Sequence, residues 1–176
     1  MELLKAIAAR KSTRSYKQEQ ISDEDLKVIL ESGEAAPVGM AAYNTVHLTV
    51  VQNADLLNEF TRTTQEVFNN PKMNPFYGAP TLIIVSGKPS EKAPNIEAHN
   101  AACITENMAL AATDLGLGSV YLLGFLFAIN TKKDLVEKLN LPDGFVPVTG
   151  LAVGYPTVPL TETDSKKHTI ETNIIK

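Results

Sequence analysis

The run Glu106-Asn107-Met108-Ala109-Leu110-Ala111-Ala112-Thr113-Asp114-Leu115-Gly116-Leu117-Gly118-Ser119 contains the end of the longest helical signal in the chain and the turn that follows it. The pattern predicts a helix from about Asn95 to Leu115, rich in alanine, with Ile96, Cys103, Ile104, Met108 and Leu110 on several faces. A helix that is apolar all round has to be buried, in its own core or against another chain. Gly116 ends it, and Ser119–Leu122 reads as a short strand. In this setting Cys103 reads as a buried, inert thiol.

Working outward, Thr81-Leu82-Ile83-Ile84-Val85 is a continuous apolar run between Pro80 and Gly87, the pattern of a central strand covered on both faces. Val46–Val51 is a second strand, and Ala54–Phe68 a helix with Leu56, Leu57, Phe60, Thr64 and Val67 inward. Ser22 caps a helix opened by Asp23, Glu24 and Asp25, whose stripe of Leu26, Ile29 and Leu30 runs up to Gly33. At the start, Leu3, Leu4, Ile7 and Ala8 give Met1–Ala9 one apolar helical face. Towards the end, Thr131 caps a helix over Lys132–Leu139, and Thr149–Val153 is a strand ahead of Gly154-Tyr155-Pro156. Thr169–Ile175 alternates like a strand with no following partner, a pattern that often pairs outside its own subdomain, including across a dimer. Helices interleaved with four or five strands make an α/β or α+β sheet with helices packed over it. With no repeat or linker, one domain is expected over residues 1–176.

The chain has 176 residues, 44% hydrophobic and 20% charged, with a net charge of −4. That balance gives no electrostatic support to a nucleic-acid or membrane-surface role. The single cysteine excludes an intramolecular disulfide, and no signal pattern or membrane-length apolar run is seen. A cytoplasmic protein is expected.

Arg10-Lys11-Ser12-Thr13-Arg14 gathers three cations and two hydroxyls, a composition suited to gripping an anion. In isolation the cluster is more often an ordinary helix end whose cations face water. His47, His99 and His168 have no metal-ligand spacing. Neither a Gly-x-Ser-x-Gly elbow nor a Walker loop is present. Gly116-Leu117-Gly118-Ser119-Val120-Tyr121 starts like a dinucleotide fingerprint but ends in Tyr and follows a helix, which excludes that reading. An enzyme without its own acid–base apparatus can still work if a cofactor carries the reaction and the protein positions it. Asn69 and Lys72 offer an amide and a cation. Leu122-Leu123-Gly124-Phe125 offers backbone with little steric obstruction, and Lys166-Lys167-His168 adds a second basic group.

Together these segments resemble the nitroreductase family of FMN-dependent NAD(P)H oxidoreductases over essentially the whole chain. Arg10–Arg14 is similar to the family's N-terminal Arg-Arg/His-Ser-x-Arg/Lys signature, and Ala35-Ala36-Pro37 with its loop and strand to the next landmark. Phe68-Asn69-x-x-Lys72-Met73 resembles a loop that some members place over the flavin. Glu106–Ser119 resembles the long central helix with its Gly-Leu-Gly-Ser exit, and Gly154-Tyr155-Pro156 the closing Gly-Tyr-Pro. After Ala-Ala the family commonly reads Pro-Ser-x-x-Asn-x-Gln-Pro-Trp. Here Pro37-Val38-Gly39-Met40-Ala41-Ala42-Tyr43-Asn44-Thr45 replaces the Ser, Asn, Gln and Trp.

The resemblance implies an α+β fold with α/β-type layers: a central, mostly antiparallel sheet flanked by helices, its C-terminal strand exchanged in an intertwined homodimer. It implies FMN held by Arg10, Ser12 and the tail cation Lys167, for which Lys166 or His168 could stand instead. Lys11 belongs to the same cofactor-binding cluster. Arg14, Lys72 and Asn69 would lie at the flavin's pyrimidine edge, where Arg14 and Lys72 stabilise negative charge. Leu122, Leu123 and Gly124 would present backbone to the ring near N5. Pro37, Val38, Gly39 and Met40 would come from the partner subunit. The activity implied is hydride transfer from NAD(P)H through flavin N5 to a small acceptor such as a nitro compound, quinone or flavin. A flavin-storage protein with little turnover, or an interaction domain with a merely solvated basic cluster, are the rival readings.

Overall fold

The computed structural model describes residues 2–161 and 170–176. Four strands, β1 (Val46–Val51), β2 (Thr81–Gly87), β3 (Gly118–Leu122) and β4 (Val146–Gly154), form one sheet in the order β1-β2-β4-β3 with every pair antiparallel. Among the described residues six α-helices flank it: α1 (Leu3–Ala9), α2 (Asp23–Glu34), α3 (Ala54–Val67), α4 (Ile96–Asp114), α5 (Gly124–Ile129) and α6 (Lys133–Glu137).

Side chains alternate across a strand, so β2 feeds two cores at once. Ile83 and Val85 face α2 and α4, joining Ile29, Ile104, Met108 and Leu151. Leu82 and Ile84 face α3 and α5, joining Phe60, Phe125, Ile129 and Leu135. Every residue of β2 is buried, as expected of a central strand covered on both sides. Burying each large side chain contributes about 1.5–3 kcal/mol relative to exposure. The Ser22 hydroxyl accepts from the Asp25 amide at 3.0 Å, and the acids of the first turn of α2 complement its dipole.

Several expectations are corrected. α4 is not buried all round within the chain: Asn100, Ala101, Ile104, Thr105, Met108, Ala109, Ala112 and Thr113 form its inner face, while Cys103 is exposed. α1 buries Ala6 and Ala9, leaving Leu3, Leu4 and Ile7 facing outward. In α3 Leu57, Phe60, Thr63 and Thr64 are buried and Leu56 packs half-buried against them, whereas Val67 is exposed. Thr131 caps nothing; its hydroxyl donates to the Ala128 carbonyl at 2.7 Å, closing α5, a helix the sequence pattern had hidden. Thr169 lies outside the described residues, and 170–176 form no strand within this chain.

Candidate functional site

The basic cluster leaves α1 in extended conformation and runs along the free edge of β3. Ser12 bridges Ser119 in parallel, and the Thr13 amide donates to the Ser119 carbonyl at 2.9 Å. Thr13 turns inward and is buried, its hydroxyl oxygen without a partner. Ser12 and Arg14, one residue either side, are exposed, as strand alternation requires. Downstream, Tyr16 bridges Pro156, the Lys17 amide donates to the Tyr155 carbonyl, and the Thr157 amide donates to the Ser15 carbonyl. The segment is thus held along both flanks. Between them lies a recess of about 270 Å³ lined by Lys11, Ser12, Thr13, Arg14, Ser15, Thr157 and Val158, with no carboxylate among them.

Arg14 donates to the Ser12 carbonyl at 3.3 Å and lies over the Tyr77 ring, 5.9 Å from its centroid. A cation over an aromatic face is attracted by the ring quadrupole, which keeps the guanidinium aligned. The Arg10 Nε lies 3.8 Å from the Glu106 carboxylate, an exposed pair of little strength. Beneath the cluster, the buried Tyr16 hydroxyl donates to the Thr13 carbonyl at 3.0 Å and lies 3.4 Å from that of Ala152. Burial pushes this phenol well above its ordinary range, with Arg14 pulling weakly the other way.

At the other end of β3, Leu122 and Leu123 lead into α5 at Gly124. A side chain on Gly124 would meet nothing within 4 Å, so packing does not require this glycine; it leaves the neighbouring backbone open. Strand rise sets this exit roughly 10–13 Å from the Ser12–Ser119 bridge. One edge of the molecule therefore carries the basic cluster at one end and open backbone at the other.

The loop after α3 is joined to this edge through Arg14 and Tyr77, yet the structure sets Lys72 in a different recess. That cavity, of about 590 Å³, is bordered also by Gln18, Gln20, Asn58 and Gln65. Asn69 sits at φ 48°, the left-handed residue just beyond a helix, and its amide donates to the Glu66 carbonyl. Lys167 lies outside the described residues, with Lys166 and His168.

Pro37, Val38, Gly39 and Met40 are not brought to Ser12. Their loop leads into β1, the sheet edge opposite β3, roughly 14 Å away at about 4.8 Å per strand. Val38 is buried, whereas Met40 is 79% exposed. Met40 and Ala41 both take positive φ, 58° and 51°. For residues with a Cβ that costs about 1–2 kcal/mol each, and the Gly39 amide is correspondingly tied to the Asn100 carboxamide oxygen at 2.9 Å.

Asn100, Glu106, Tyr16 and Tyr77 are the residues that sequence reasoning missed. Asn100 had the most legible signal: it is one of several polar residues in an alanine-rich helix, and an amide on the buried face must find a partner. Among the described residues no group of side chains could hold a metal ion, and no helix is long and apolar enough to cross a membrane.

The sequence model of the Nitroreductase family matches residues 7–155. A protein of Archaeoglobus fulgidus that carries the name NADH dehydrogenase/NAD(P)H nitroreductase is 33% identical over 88% of this chain and 86% of its own. A nitroreductase of Bacteroides fragilis, crystallised with bound FMN, is 31% identical and superposes with a TM-score of 0.80, covering 100% of this chain and 98% of that one. An FMN-bound nitroreductase of Desulfitobacterium hafniense is 26% identical with a TM-score of 0.82, covering 98% and 99%.

Proposed function

Because the chain belongs to the nitroreductase family, we propose that it works as an FMN-dependent oxidoreductase that draws on NAD(P)H and reduces a small acceptor. The observation that carries this reading is the shared edge of β3, with the anion grip of Arg10, Ser12 and Arg14 at one end and the open backbone of Leu122 to Gly124 at the other.

The residues fit such a cofactor. The recess beside Ser12 has cations and hydroxyls and no lining carboxylate, so a phosphate there meets donors, while Glu106 stands beside the neighbouring Arg10. Arg10 and Ser12 hold the phosphate and ribityl end, with Lys167 as a further cation, and Lys11 flanks them. Arg14, kept in place by Tyr77 and the Ser12 carbonyl, presents fixed positive charge to the pyrimidine edge. Asn69 and Lys72 belong to the loop after α3, which is joined to that edge through Tyr77 and Arg14, and would approach the flavin from there. When bound, FMN supplies an N5 that accepts hydride from NAD(P)H and passes electrons to a nitro compound, quinone or flavin-like acceptor.

The active form is a homodimer. Leu3, Leu4 and Ile7 on α1, together with Ile170, Ile174 and Ile175, leave apolar surface exposed that a second copy would cover. Pro37 to Met40, remote from Ser12 in their own chain, would then reach the partner's flavin. The terminal residues 170–176 would pair with the partner's sheet.

Retention of FMN tests this reading. The wild-type protein, loaded with FMN and desalted, keeps flavin absorbance, and Arg10→Ala with Ser12→Ala loses it. Equal retention by both would refute the assignment of the cradle.

A further inference from the structure

The loop ahead of β1 holds two consecutive left-handed residues with side chains, Met40 and Ala41, held by the loop's own turn and by its buried neighbours. The carboxamide oxygen of Asn100, which is 4% exposed on the inner face of α4, accepts from the Gly39 amide at 2.9 Å. Gly39 in turn packs closely on α4: a Cβ there would lie 2.8 Å from Ile96 Cδ1, so the tip of that side chain would have to shift. Val38, packed into the core beside Ile104, fixes the residue before it. The Ala41 amide donates to the Val38 carbonyl at 3.0 Å and that of Ala42 to the Gly39 carbonyl at 3.2 Å, winding the tight turn that pushes Met40 outward. A strained conformation persists only where its surroundings over-determine it, and such sites cluster where a ligand is clamped.

We propose that Asn100 is a positioning residue for the flavin site of the other subunit. By pinning Gly39 it holds Met40 and Ala41 in their turn and presents the Met40 thioether to the partner's ring. The inference rests on the homodimeric flavoprotein reading. Asn100 touches no flavin itself and acts only through the loop.

Hybrid dimers test it. One subunit carries Asn100→Ala and the other Arg10→Ala with Ser12→Ala, on different affinity tags, and the mixed dimer is isolated. If Asn100 acts across the interface, the Asn100→Ala subunit keeps its own anion grip and receives an intact loop, so the hybrid recovers roughly half of the wild-type FMN content and turnover. Each parental homodimer stays low, with FMN affinity about tenfold weaker for Asn100→Ala. A hybrid no better than its parents overturns the proposal, whereas FMN retained by the Arg10→Ala/Ser12→Ala homodimer refutes the cradle instead.

Ala41→Gly provides a second readout, because glycine takes positive φ without strain. Added to Asn100→Ala, it restores FMN affinity severalfold if the role of Asn100 is to hold the turn. No restoration, with Tm lowered equally in both variants, shows that Asn100 only fills the core and contradicts the proposal.

Discussion

Thr13 occupies the space that a side chain on Gly118 would need: a Cβ there would lie 2.7 Å from Thr13 Cγ2 and 2.8 Å from its Oγ1. This contact seats the anion grip against the strand that leads to the open backbone at Leu123, so the two ends of the proposed cradle share one support.

Gly118→Ala therefore lifts the Arg10–Arg14 segment off β3. The expected result is a loss of about 1–3 kcal/mol in stability from overpacking, with a larger proportional loss of FMN affinity. Thermal unfolding with and without FMN measures both, and the ligand-induced rise in Tm shrinks more than the apo Tm falls.

Tyr16 predicts an alkaline instability. Burial raises its pKa in the folded protein, while the unfolded tyrosine ionises at about pH 10. Below pH 10 both states keep the proton and this group adds no slope. As pH rises above that value the unfolded state loses its proton first, so stability falls. Tyr16→Phe removes this part of the decline while costing a hydrogen bond, about 1 kcal/mol, at neutral pH. Denaturant unfolding at neutral pH and above pH 10 makes the comparison.

Glu106 competes for Arg10. The pair is exposed at 3.8 Å and worth little to folding. Glu106→Gln leaves thermal stability unchanged and tightens FMN binding by about two- to fivefold, the scale of one exposed ion pair. Fluorescence titration of the apoprotein with FMN reads the change.

Phe125 tests the packing beneath the β3 exit. Its ring meets Phe76 at 5.2 Å between centroids, and a Cβ on Gly150 would lie only 2.6 Å from it. Phe125→Ala costs about 3–5 kcal/mol, as large-to-small changes at aromatic core positions do, measured as a lower urea midpoint.

Legibility in the sequence followed how local the determining interactions were. β1, β2, α2 and α4 were readable because their signals, an apolar run, a cap or a long helical period, lie within the element itself. α5 was hidden because Leu122 to Ile129 is one apolar run in which a strand end passes into a helix with no change in polarity. The outward turn of Leu3, Leu4 and Ile7 was unreadable for a different reason: an apolar face does not announce whether its cover is its own core or another chain. In the candidate site, the Arg10–Arg14 cluster was visible as composition, and its family resemblance supplied the roles. The neighbours that position it, Tyr16 under Thr13, Tyr77 under Arg14 and Glu106 beside Arg10, arise from contacts distant in the chain and left no local trace.

The central claim is that this chain holds FMN and turns it over with NAD(P)H, and anaerobic mixing of the FMN-loaded, desalted protein with NADH or NADPH tests it most directly. Rapid bleaching of the visible flavin band, and its return when a nitro compound or quinone is added, is the result predicted. A flavin band that stays unbleached with both nucleotides would contradict it and favour a protein that merely stores flavin.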